Sequence, residues 1–470
     1  MSAVEQLRAI VGQRHVLVGE EAAPYLTDWR RTRTGRALAV VRPANTAETA
    51  AVVKFCADNV VPIVPQGGNT GQVAGATPDD SARAIVLHTG RMNRIRDIDV
   101  VNDTMVVEAG CVLQDVQAAA RAAGRLFPLS LGAEGSCFIG GNLATNAGGT
   151  QVLSYGNARE LVLGLEVVLP NGEIWDGLRH LRKDNTGFSL RDLFVGSEGT
   201  LGVITAAVLR LHPLPRAEHT ALLALDSIDS ATQVFERARS RFHSALTAFE
   251  IMSDACLALV AETFPQLRSP IKPGPEASAR CYVLLEVAEH DGADEMGDVF
   301  AEFCAHAWDD GLLQDAVIAT STAQQTELWT LRESITLALA SAGYCVKHDI
   351  SLPISAIPGF VRQNSDQLAS KFPEARLMVF GHLGDGNLHY NVLLPDSADP
   401  ARESLETSIQ RCVHDHVVGL GGSISAEQGI GGKRTGDLER YKSPVELRLM
   451  RDIKRALDPM GIMNPGKLFT

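Results

Sequence analysis

Two histidines on either side of a Gly-Asp-Gly sequence have the clearest potential for chemistry in this chain. They are His382 and His389, in residues 381–391 with the sequence GHLGDGNLHYN. A hairpin with residues 384–387 as its loop would place the two histidines opposite each other, with Cβ atoms about 5 Å apart on one face of the sheet. Both imidazoles could then bind one metal ion, and Asn391, on the same face, could reach a substrate oxygen. The alternative is two unrelated surface histidines beside a turn.

A carboxylate is expected as the third ligand of such a metal site, and Glu427 is the candidate. It lies in residues 425–431, with the sequence SAEQGIG, where the flanking glycines predict a loop. Two histidines and one carboxylate leave coordination positions open for a substrate. We expect Zn²⁺ in the site, although Mn²⁺ and Fe²⁺ would also accept these ligands.

A cationic group that could bind a carboxylate precedes the histidines along the chain. Arg332 and Thr336 are four residues apart, so a helix would present both on one face. The planar guanidinium of Arg332 suits the two oxygens of a carboxylate. The alternative is an arginine on the solvated surface of a helix.

Three glycine-rich segments could let the backbone approach a large ligand. Residues 65–71, PQGGNTG, follow a predicted strand and could direct backbone N–H groups at an anion such as a pyrophosphate. Residues 132–149 contain six glycines, and residues 196–205 combine a turn with the start of a strand. None has the GxGxxG spacing of a nicotinamide-dinucleotide site. Residues 461–467, GIMNPGK, have the spacing of a phosphate-binding loop, but Leu468 stands where Ser or Thr must follow.

The whole-chain composition is that of a globular α/β or α+β protein. The chain has 470 residues, 45% of them hydrophobic and 21% charged. Its formal net charge of −13 argues against nucleic acid and anionic membranes as partners. The eight cysteines form no CxxC pair, so they are expected to be reduced and mostly buried. No signal or transit peptide and no membrane-spanning stretch is recognisable, which predicts a cytoplasmic location.

Apolar runs predict the elements that must position these residues. Short strands are predicted at residues 38–42, 61–64, 84–87 and 104–108, separated by polar turns. The segment HPLPRAEHT from His212 onward is a plausible domain boundary. After it, strands at residues 221–225, 248–251 and 281–287 suggest an antiparallel sheet covered by helices on one side. Residues 444–457 predict a basic amphipathic helix before the C-terminal tail.

The glycine-rich segments together resemble the flavin-binding domain of the vanillyl-alcohol oxidase superfamily. The motifs are PQGGNTG, GSCFIGGNLATNAGG, DLFVGSEGTLGVIT and the terminal NPGK, and their order matches along nearly the whole chain. The similarity is greatest to D-2-hydroxyglutarate dehydrogenases, with D-lactate dehydrogenases and the glycolate oxidase flavin subunit as relatives. The resemblance implies an α+β fold with a two-subdomain FAD-binding domain of the p-cresol methylhydroxylase (PCMH) type. It also implies a substrate domain with an antiparallel sheet covered by helices, and a C-terminal tail that returns to the flavin.

The resemblance implies FAD as the cofactor and assigns residues to hold it. No histidine interrupts PQGGNTG, so a covalent link between histidine and flavin is not expected there. The residues implied in cofactor binding are Pro65, Gln66, Gly67, Gly68, Asn69, Thr70, Gly71, Gly132, Glu134, Gly135, Ser136, Ile139, Gly140, Gly141, Asn142, Thr145, Asn146, Gly148, Gly149, Glu198, Gly199, Gly202, Val203, Ile204 and Asn464.

The resemblance also supports the metal ligands and adds a substrate site. His382, His389 and Glu427 fall where the family binds its divalent metal. Arg332, Thr336 and Lys347 match the residues that contact substrate in the hydroxyglutarate branch, and two cations suit a substrate with two carboxylates. The sequence departs from the family at Gln428, where relatives often carry a histidine thought to act as base. Gln428 cannot accept a proton near neutral pH and could instead orient the substrate, which leaves His348 or a metal-bound hydroxide as candidate bases.

These inferences predict an FAD- and metal-dependent dehydrogenase that oxidises a D-2-hydroxy acid, with D-2-hydroxyglutarate as the first candidate, by hydride transfer to flavin N5. D-Lactate or D-malate is the alternative substrate, and a non-catalytic flavin-bearing electron-transfer subunit is the alternative from another class. A metal-dependent hydrolase without flavin would leave the glycine-rich loops unexplained. The expected electron acceptor is an electron-transfer flavoprotein or a quinone, and a homodimer stays open. The predicted parts are a helical segment at 1–37, the FAD domain at 38–215, the substrate and metal domain at 216–443, and a helix and tail at 444–470 that pack on the FAD domain.

Overall fold

The computed structural model describes residues 1–272, 280–290, 295–395 and 402–469. The chain divides into two compact units. Unit 1 comprises residues 1–149, 156–214 and 427–470, and unit 2 comprises residues 150–155 and 215–426. The predicted domains include residues 273–279, 291–294, 396–401 and 470, which lie outside the described residues.

The described residues form helices and strands in alternation along the chain. The α-helices are α1 Ala3–Val11, α2 Thr46–Asn59, α3 Leu113–Ala122, α4 Ile139–Ala144, α5 Val152–Tyr155, α6 Arg191–Phe194, α7 Ile228–Phe242, α8 Asp254–Thr263, α9 Met296–Asp309, α10 Thr322–Ser341, α11 Ile357–Lys371, α12 Arg402–Gly419, α13 Thr435–Tyr441 and α14 Pro444–Leu457. The strands are β1 Val16–Leu17, β2 Ala39–Val41, β3 Ile63–Gln66, β4 Ile85–His88, β5 Ile95–Asp99, β6 Thr104–Glu108, β7 Arg125–Leu126, β8 Val162–Val168, β9 Ile174–Gly177, β10 Val203–Arg210, β11 His212–Pro213, β12 Ala217–Leu225, β13 Leu246–Ser253, β14 Cys281–Glu289, β15 Asp315–Ile318, β16 Tyr344–Val346, β17 Asp349–Ser351, β18 Arg376–His382 and β19 Asn387–Leu394. Each strand predicted from an apolar run overlaps a strand of the structure.

Unit 1 contains two principal sheets, as a two-subdomain flavin-binding fold requires. A four-stranded sheet has the order β1-β2-β4-β3, and a five-stranded antiparallel sheet has the order β5-β6-β10-β8-β9. Strands β2, β3 and β4 run parallel, which needs a crossover, and helix α2 supplies the connection between β2 and β3. Asn45 starts α2, because its side chain accepts a hydrogen bond of 2.9 Å from the backbone nitrogen of Glu48.

The C-terminal tail pairs with the edge of the four-stranded sheet in unit 1. The backbone nitrogen of Ile63 donates to the oxygen of Ile462 (2.8 Å), and the nitrogen of Asn464 donates to the oxygen of Ile63 (2.7 Å). The preceding helix α14 begins at Pro444, as predicted, and Ser443 and Glu446 form a capping box at its N-terminus. The tail therefore brings Asn464 beside the glycine-rich loop that follows β3.

Unit 2 is built on an eight-stranded sheet whose strand pairs are all antiparallel. Its order is β15-β12-β14-β13-β18-β19-β16, and β17 also pairs with β19. Side chains alternate between the two faces with period two, and each face contributes apolar side chains to a buried core. Helices α7, α9, α11 and α12 contribute to the core on one face, while α8 and α10 contribute to the core on the other. The prediction of helices on one side was therefore wrong in this detail, because both faces carry buried side chains that need cover.

The boundaries of the units differ from the predicted domain limits at two places. The first division lies between residues 214 and 215, within the proline-containing segment, close to the predicted limit at 215. The return to unit 1 occurs at Glu427, earlier than the predicted 443, and residues 150–155 belong to unit 2. Both differences arise because residues that are distant in the sequence pack together in the folded chain. The composition of the sequence indicates only the first boundary.

Two predictions from composition concern burial and the membrane. Seven of the eight cysteines are buried and Cys412 is partly buried, all as free thiols. Within the described parts of the chain, no helix has the length and hydropathy of a membrane span. The cytoplasmic location stays a prediction.

Candidate functional site

The glycine-rich segments of unit 1 line a single cleft. The cleft has about 990 Å³ of atom-free space, solvent included. Its lining includes sixteen residues that the sequence assigned to a cofactor, namely Pro65, Gln66, Gly67, Gly68, Asn69, Thr70, Gly71, Gly140, Gly141, Asn142, Thr145, Glu198, Gly199, Gly202, Val203 and Ile204. Segments separated by more than one hundred residues in the sequence thus surround one space large enough for an extended ligand.

Glycine is required in this cleft for two different reasons. A Cβ atom on Gly68 would lie 2.0 Å from the backbone oxygen of Ser136, so no side chain fits there. At Gly71 and Gly141, by contrast, a Cβ atom would meet no protein atom within 4 Å. These two glycines leave open space in front of the backbone, as a cradle for a flat ligand must.

Buried polar oxygens at the cleft lack a protein partner. They are Oε1 of Gln66 and Oδ1 of Asn142, both in the lining, and Oδ1 of Asn464 in the tail. Gln66 donates through Nε2 to the backbone oxygens of Tyr25 and Ala76, each at 2.9 Å, which fixes its side chain in place. Buried acceptors without donors are costly, and a ligand that carries N–H or O–H groups would satisfy them. The ring and ribityl chain of FAD carry such groups, so the residues present fit this cofactor.

Glu198 has a role in unit 1 that the sequence did not indicate. Its carboxylate accepts hydrogen bonds from the backbone nitrogens of Ile430 (2.8 Å) and Gly431 (2.6 Å). Its backbone oxygen accepts a hydrogen bond of 2.7 Å from Nδ2 of Asn464. Burial raises the pKa of Glu198, although the two backbone N–H groups and the nearby Lys467 oppose that shift. Glu198 therefore holds the loop that begins at Glu427, in addition to lining the cleft.

Nine of the predicted cofactor residues lie outside the cleft lining, and several have a structural role. They are Gly132, Glu134, Gly135, Ser136, Ile139, Asn146, Gly148, Gly149 and Asn464. Glu134, for example, accepts hydrogen bonds from the backbone of Leu131 and the side chain of Gln117, both at 3.1 Å. Gly149 has a φ of 126°, and a Cβ atom there would lie 1.9 Å from the oxygen of Ser130. These residues shape the loop, and their contact with a cofactor stays a prediction.

The sequence reasoning missed several lining residues. They are Val73, Gly75, Ala76, Thr89, Cys137, Phe138, Ala144 and Ser197. Most are apolar or small and directly adjoin the predicted motifs, so extending each motif by a few positions would have found them. Thr89 had no such signal, because it enters the lining only through the pairing of β3 with β4.

In unit 2, the histidines share a sheet face but not the predicted register. Phe380, rather than His382, lies opposite His389, so the predicted pairing was wrong. The reason is that the connection between β18 and β19 is residues 383–386, with Leu383–Asp385 in a 3-10 turn, so it begins one residue earlier than the predicted loop at 384–387. His382 lies two residues beyond Phe380 on the same face, and the two imidazole centroids are 5.5 Å apart.

A buried carboxylate, Glu250 in β13, lies between His382 and Arg332. Its Oε1 accepts a hydrogen bond of 2.6 Å from Nδ1 of His382, and its Oε2 accepts one of 2.8 Å from Nε of Arg332. Burial raises the pKa of Glu250, but the charges of His382 and Arg332 outweigh it and lower the pKa to about 2. Glu250 is 1% exposed and had no motif in the sequence to indicate it.

His389 is held as a neutral imidazole beside a second carboxylate. Its Nδ1 lies 3.6 Å from Oδ1 of Asp349, the residue opposite it in β17. Burial lowers the pKa of His389 to about 3, although Asp349 opposes that shift. Nδ2 of Asn387 donates to the same Asp349 oxygen at 3.0 Å, which fixes the carboxylate. A neutral imidazole is the form that binds a metal ion.

The predicted substrate residues are distributed around this part of unit 2. Arg332 is 5% exposed, so it is not a solvated surface residue, and its guanidinium carbon lies 5.0 Å from the centre of the Phe380 ring. Thr336 follows one turn later in α10 and is partly buried. Lys347 lies between β16 and β17 and is also partly buried. Asn391 is on the same face as His389, and its Oδ1 accepts a hydrogen bond of 3.2 Å from the backbone nitrogen of His348.

The imidazole of His348 lies on the opposite face of the sheet from the two histidines. Its Nδ1 is 2.7 Å from the backbone oxygen of Tyr390, and its ring packs at 5.4 Å against His414 of α12. Helix α12 covers the face opposite α10, and His348 is 1% exposed. This placement counts against His348 as the base, which stays an untested prediction.

Glu427 and Gln428 begin the segment that returns to unit 1. Ala426, the last residue of unit 2, donates its backbone N–H to the oxygen of Asp349 at 3.0 Å. In unit 1, a Cβ atom on Gly148 would lie 2.6 Å from Oε1 of Glu427, so this glycine makes room for the carboxylate. Gln428 lines the cleft described above.

Comparison with protein families and known proteins agrees with this description. Residues 214–468 match the family described as FAD linked oxidases, C-terminal domain, and residues 37–177 match the FAD binding domain. The mitochondrial D-2-hydroxyglutarate dehydrogenase of Bos taurus is 40% identical over 463 residues, which is 98% of this chain and 82% of that protein. The D-2-hydroxyglutarate dehydrogenase of Xanthomonas citri pv. viticola is 40% identical over 457 residues, 95% of this chain and 92% of that protein.

Solved structures agree on the fold. The crystal structure of p-cresol methylhydroxylase with substrate bound matches with a TM-score of 0.76 at 18% identity, over 99% of this chain and 96% of that one. This confirms the predicted α+β fold with a PCMH-type flavin domain, and the family matches confirm the resemblance drawn from the glycine-rich motifs. The chain therefore belongs to the FAD-linked oxidases, in the family that contains these D-2-hydroxyglutarate dehydrogenases.

Proposed function

We propose that this protein is an FAD-dependent dehydrogenase that oxidises D-2-hydroxyglutarate to the corresponding 2-oxo acid. The similarity to D-2-hydroxyglutarate dehydrogenases along nearly the whole chain supports the reaction. The structural observation that carries the proposal is the polar group on one sheet face of unit 2. There, the imidazole of His382 and the guanidinium of Arg332 contact the buried carboxylate of Glu250, and the imidazole of His389 lies 5.5 Å from that of His382. A guanidinium and imidazoles grouped on one face suit an anionic substrate.

FAD would lie in the cleft of unit 1, held without a covalent bond. When bound, FAD supplies a ring that accepts the hydride from the substrate carbon. The backbone of residues 65–71 and 140–142 would contact the cofactor, because no side chain stands in front of Gly71 and Gly141. Oε1 of Gln66 and Oδ1 of Asn142 would accept hydrogen bonds from its polar edge.

His382, His389 and Glu427 would hold a divalent metal, with Zn²⁺ as the first candidate and Mn²⁺ or Fe²⁺ as alternatives. When bound, the metal supplies a Lewis acid that lowers the pKa of a coordinated hydroxyl group. Two features of unit 2 support the site. Nδ1 of His382 donates to Glu250, so Nε2 is the nitrogen that would bind a metal. The backbone hydrogen bond from Ala426 to Asp349 holds the residue before Glu427 one strand away from His389.

Arg332 and Lys347 would bind the two carboxylates of the substrate, assisted by Thr336 and Asn391. A guanidinium carries five N–H donors, and Glu250 engages those on Nε and Nη2 of Arg332, so those on Nη1 can face a carboxylate. Two cations would bind a dicarboxylate and orient its Cα–H bond. D-Lactate lacks the second carboxylate and would gain less from this arrangement.

The residue that removes the hydroxyl proton is not assigned by this proposal. Gln428 lines the cofactor cleft and would orient the substrate, since an amide cannot accept the proton at neutral pH. The electron acceptor would be an electron-transfer flavoprotein or a quinone, as the family resemblance implies.

An anaerobic visible absorption spectrum tests the proposal. The purified holoenzyme is mixed with D-2-hydroxyglutarate, L-2-hydroxyglutarate, D-malate or D-lactate, and the flavin band is followed with time. We expect D-2-hydroxyglutarate to bleach the band about 100-fold faster than D-lactate, because D-lactate has no second carboxylate to bind the second of the two cations, Arg332 and Lys347. Prior removal of metal with a chelator should abolish bleaching, and added Zn²⁺ should restore it.

Other outcomes of this experiment separate the alternatives. If D-lactate or D-malate bleaches the band faster than D-2-hydroxyglutarate, that hydroxy acid is the better candidate substrate. A flavin band that no hydroxy acid bleaches would favour a non-catalytic electron-transfer subunit. A folded, metal-loaded sample with no flavin band would overturn the proposal of bound FAD.

A further inference from the structure

We propose that Glu250 is a positioning residue that ties His382 to Arg332, and so orients a metal ligand and a substrate-binding cation together. The proposal rests on the function proposed above, because it assigns Glu250 a role at that site. Glu250 is neither a predicted ligand nor a predicted substrate contact. Glu250 matters because it lies between His382, a predicted metal ligand, and Arg332, a predicted substrate contact.

The geometry of Glu250 uses both carboxylate oxygens. Oε1 accepts from Nδ1 of His382 at 2.6 Å, while Oε2 accepts from Nε of Arg332 at 2.8 Å and lies 2.7 Å from its Nη2. All three residues are less than 9% exposed. Short bonds between charged groups in a buried site are strong and directional.

Three different elements bring these side chains together. Glu250 in β13 lies directly opposite His382 in β18, as a cross-strand pair. Arg332 comes from helix α10, which covers the same sheet face, and Phe380 packs against its guanidinium. The helix is thus joined to the two strands at the point where His382 ends β18, so movement of any of the three would disturb the others.

The contact with Glu250 sets the tautomer of His382. A carboxylate can only accept a hydrogen bond, so the proton of the imidazole must lie on Nδ1. In the neutral ring, which is the form that binds a metal ion, the lone pair is then on Nε2. Without Glu250, the proton could lie on either nitrogen and the ring could rotate, and both changes weaken metal binding.

The same carboxylate aligns Arg332. It fixes one edge of the guanidinium plane, so the Nη1 edge keeps a defined direction for a substrate carboxylate. It also neutralises a buried cation that would otherwise be costly in this setting. A single residue therefore supports the binding of both the metal and the substrate.

A comparison of Glu250→Gln with Glu286→Gln tests the proposal. Glu286 is a matched control because it is also a buried glutamate on the same sheet face, but it contacts Trp329, Thr220 and Thr247. The Zn²⁺ affinity of the flavin-loaded, metal-free enzyme is measured by competition with a chromogenic chelator. Flavin content and thermal unfolding are recorded for each variant. We expect Glu250→Gln to lower Zn²⁺ affinity about 10- to 100-fold and Glu286→Gln to leave it unchanged.

The substrate side of the proposal is read from steady-state kinetics at saturating Zn²⁺. Glu250→Gln should raise KM for D-2-hydroxyglutarate about tenfold, since Arg332 loses its alignment, while flavin content in unit 1 stays at the parent value. Glu250→Asp keeps the charge but is shorter by one methylene, so its Zn²⁺ affinity should lie between those of the parent and the Gln variant.

The Zn²⁺ titration needs no substrate, so it distinguishes failure of this proposal from failure of the proposed function. Unchanged Zn²⁺ affinity in Glu250→Gln would overturn the proposal, as would an equal loss in Glu286→Gln, which would indicate general loosening of the sheet. If Glu250→Gln does not fold, Glu250→Asp decides: parent-like Zn²⁺ affinity with a parent-like KM would overturn the proposal.

Discussion

Oε2 of Glu198 accepts a hydrogen bond of 2.6 Å from the backbone nitrogen of Gly431, a residue 233 positions further along the chain. Gly431 lies four residues after Glu427, so this bond connects the third glycine-rich segment to the loop that carries the proposed metal carboxylate. Oε1 of Glu198 accepts from Ile430 in the same way, at 2.8 Å. The loop that begins at Glu427 therefore depends on a residue of the cofactor cleft.

Replacement of this anchor should loosen the loop and the flavin together. Glu198→Ala leaves two backbone N–H groups without a partner, and we expect the free energy of unfolding to fall by about 3 kcal/mol. Flavin content after gel filtration should fall as well, because Glu198 lines the cleft. Thermal unfolding and the ratio of flavin to protein absorbance measure both effects. The control is Glu236→Gln, an exposed position in α7, and a Glu198→Ala protein with parent-like stability would contradict the anchor.

Two glycines of the cleft should respond differently to a methyl group. In Gly68→Ala the methyl group would overlap the backbone of Ser136, so we expect lower thermal stability with and without flavin. In Gly141→Ala the methyl group would enter open space within helix α4, so the flavin-free protein should be as stable as the parent or slightly more stable.

The second variant reports on the cofactor itself. Gly141→Ala should weaken FAD binding about tenfold or more, measured by fluorescence titration of the flavin-free protein, because the methyl group occupies cofactor space. Parent-like FAD affinity in Gly141→Ala would show that the cofactor does not lie against this backbone.

Glu286 should make stability depend on pH. Burial and the nearby Glu218 raise the pKa of Glu286 to about 7, against hydrogen bonds from Trp329, Thr220 and Thr247. Tyr155 is the further titratable group beside this carboxyl. Because the folded pKa exceeds the unfolded value, the folded state holds a proton that the unfolded state releases earlier, and stability falls as pH rises from about 4.5 to about 7.

The expected size of this effect is on the order of 3 kcal/mol across that range. Glu286→Gln cannot titrate, so the stability of the parent relative to this variant should fall between pH 4.5 and 7 and stay constant above it. Urea unfolding of both proteins at pH 5 and pH 8 measures the difference. If the parent and Glu286→Gln differ in free energy of unfolding by the same amount at both pH values, the raised pKa of Glu286 is refuted.

His348→Ala should affect stability far more than catalysis. The substitution removes the contact between Nδ1 and the Tyr390 oxygen and leaves a cavity beside His414, at a cost of about 1 to 3 kcal/mol in the free energy of unfolding. Flavin reduction by D-2-hydroxyglutarate should stay within about twofold of the parent, because the ring lies on the other sheet face. A folded His348→Ala protein that reduces its flavin more than tenfold slower would instead restore His348 as the base.

The histidine pair shows how far sequence reasoning reached at the site. The predicted hairpin correctly placed His382 and His389 on one face, because the observed partner of His389, Phe380, lies two positions from the predicted partner and side chains alternate with period two. The register was predicted wrongly, because the 3-10 turn at Leu383–Asp385 depends on packing that the GDG sequence does not reveal. The placement of the His348 ring could not be predicted for a related reason, since the sequence does not state which face a residue between β16 and β17 occupies.

The sequence by itself determined the apolar runs that form strands and, through the resemblance of its glycine-rich motifs to a known family, the α+β fold class and most of the cofactor cleft. Each of these depends on local patterns, such as glycines that allow close backbone approach and apolar residues that must be buried. Only the tertiary structure decided the roles of Glu198 and Glu250. A buried glutamate is stabilised by donors from distant segments, here Gly431 in one case and His382 with Arg332 in the other, and no local pattern records which donors a fold will supply.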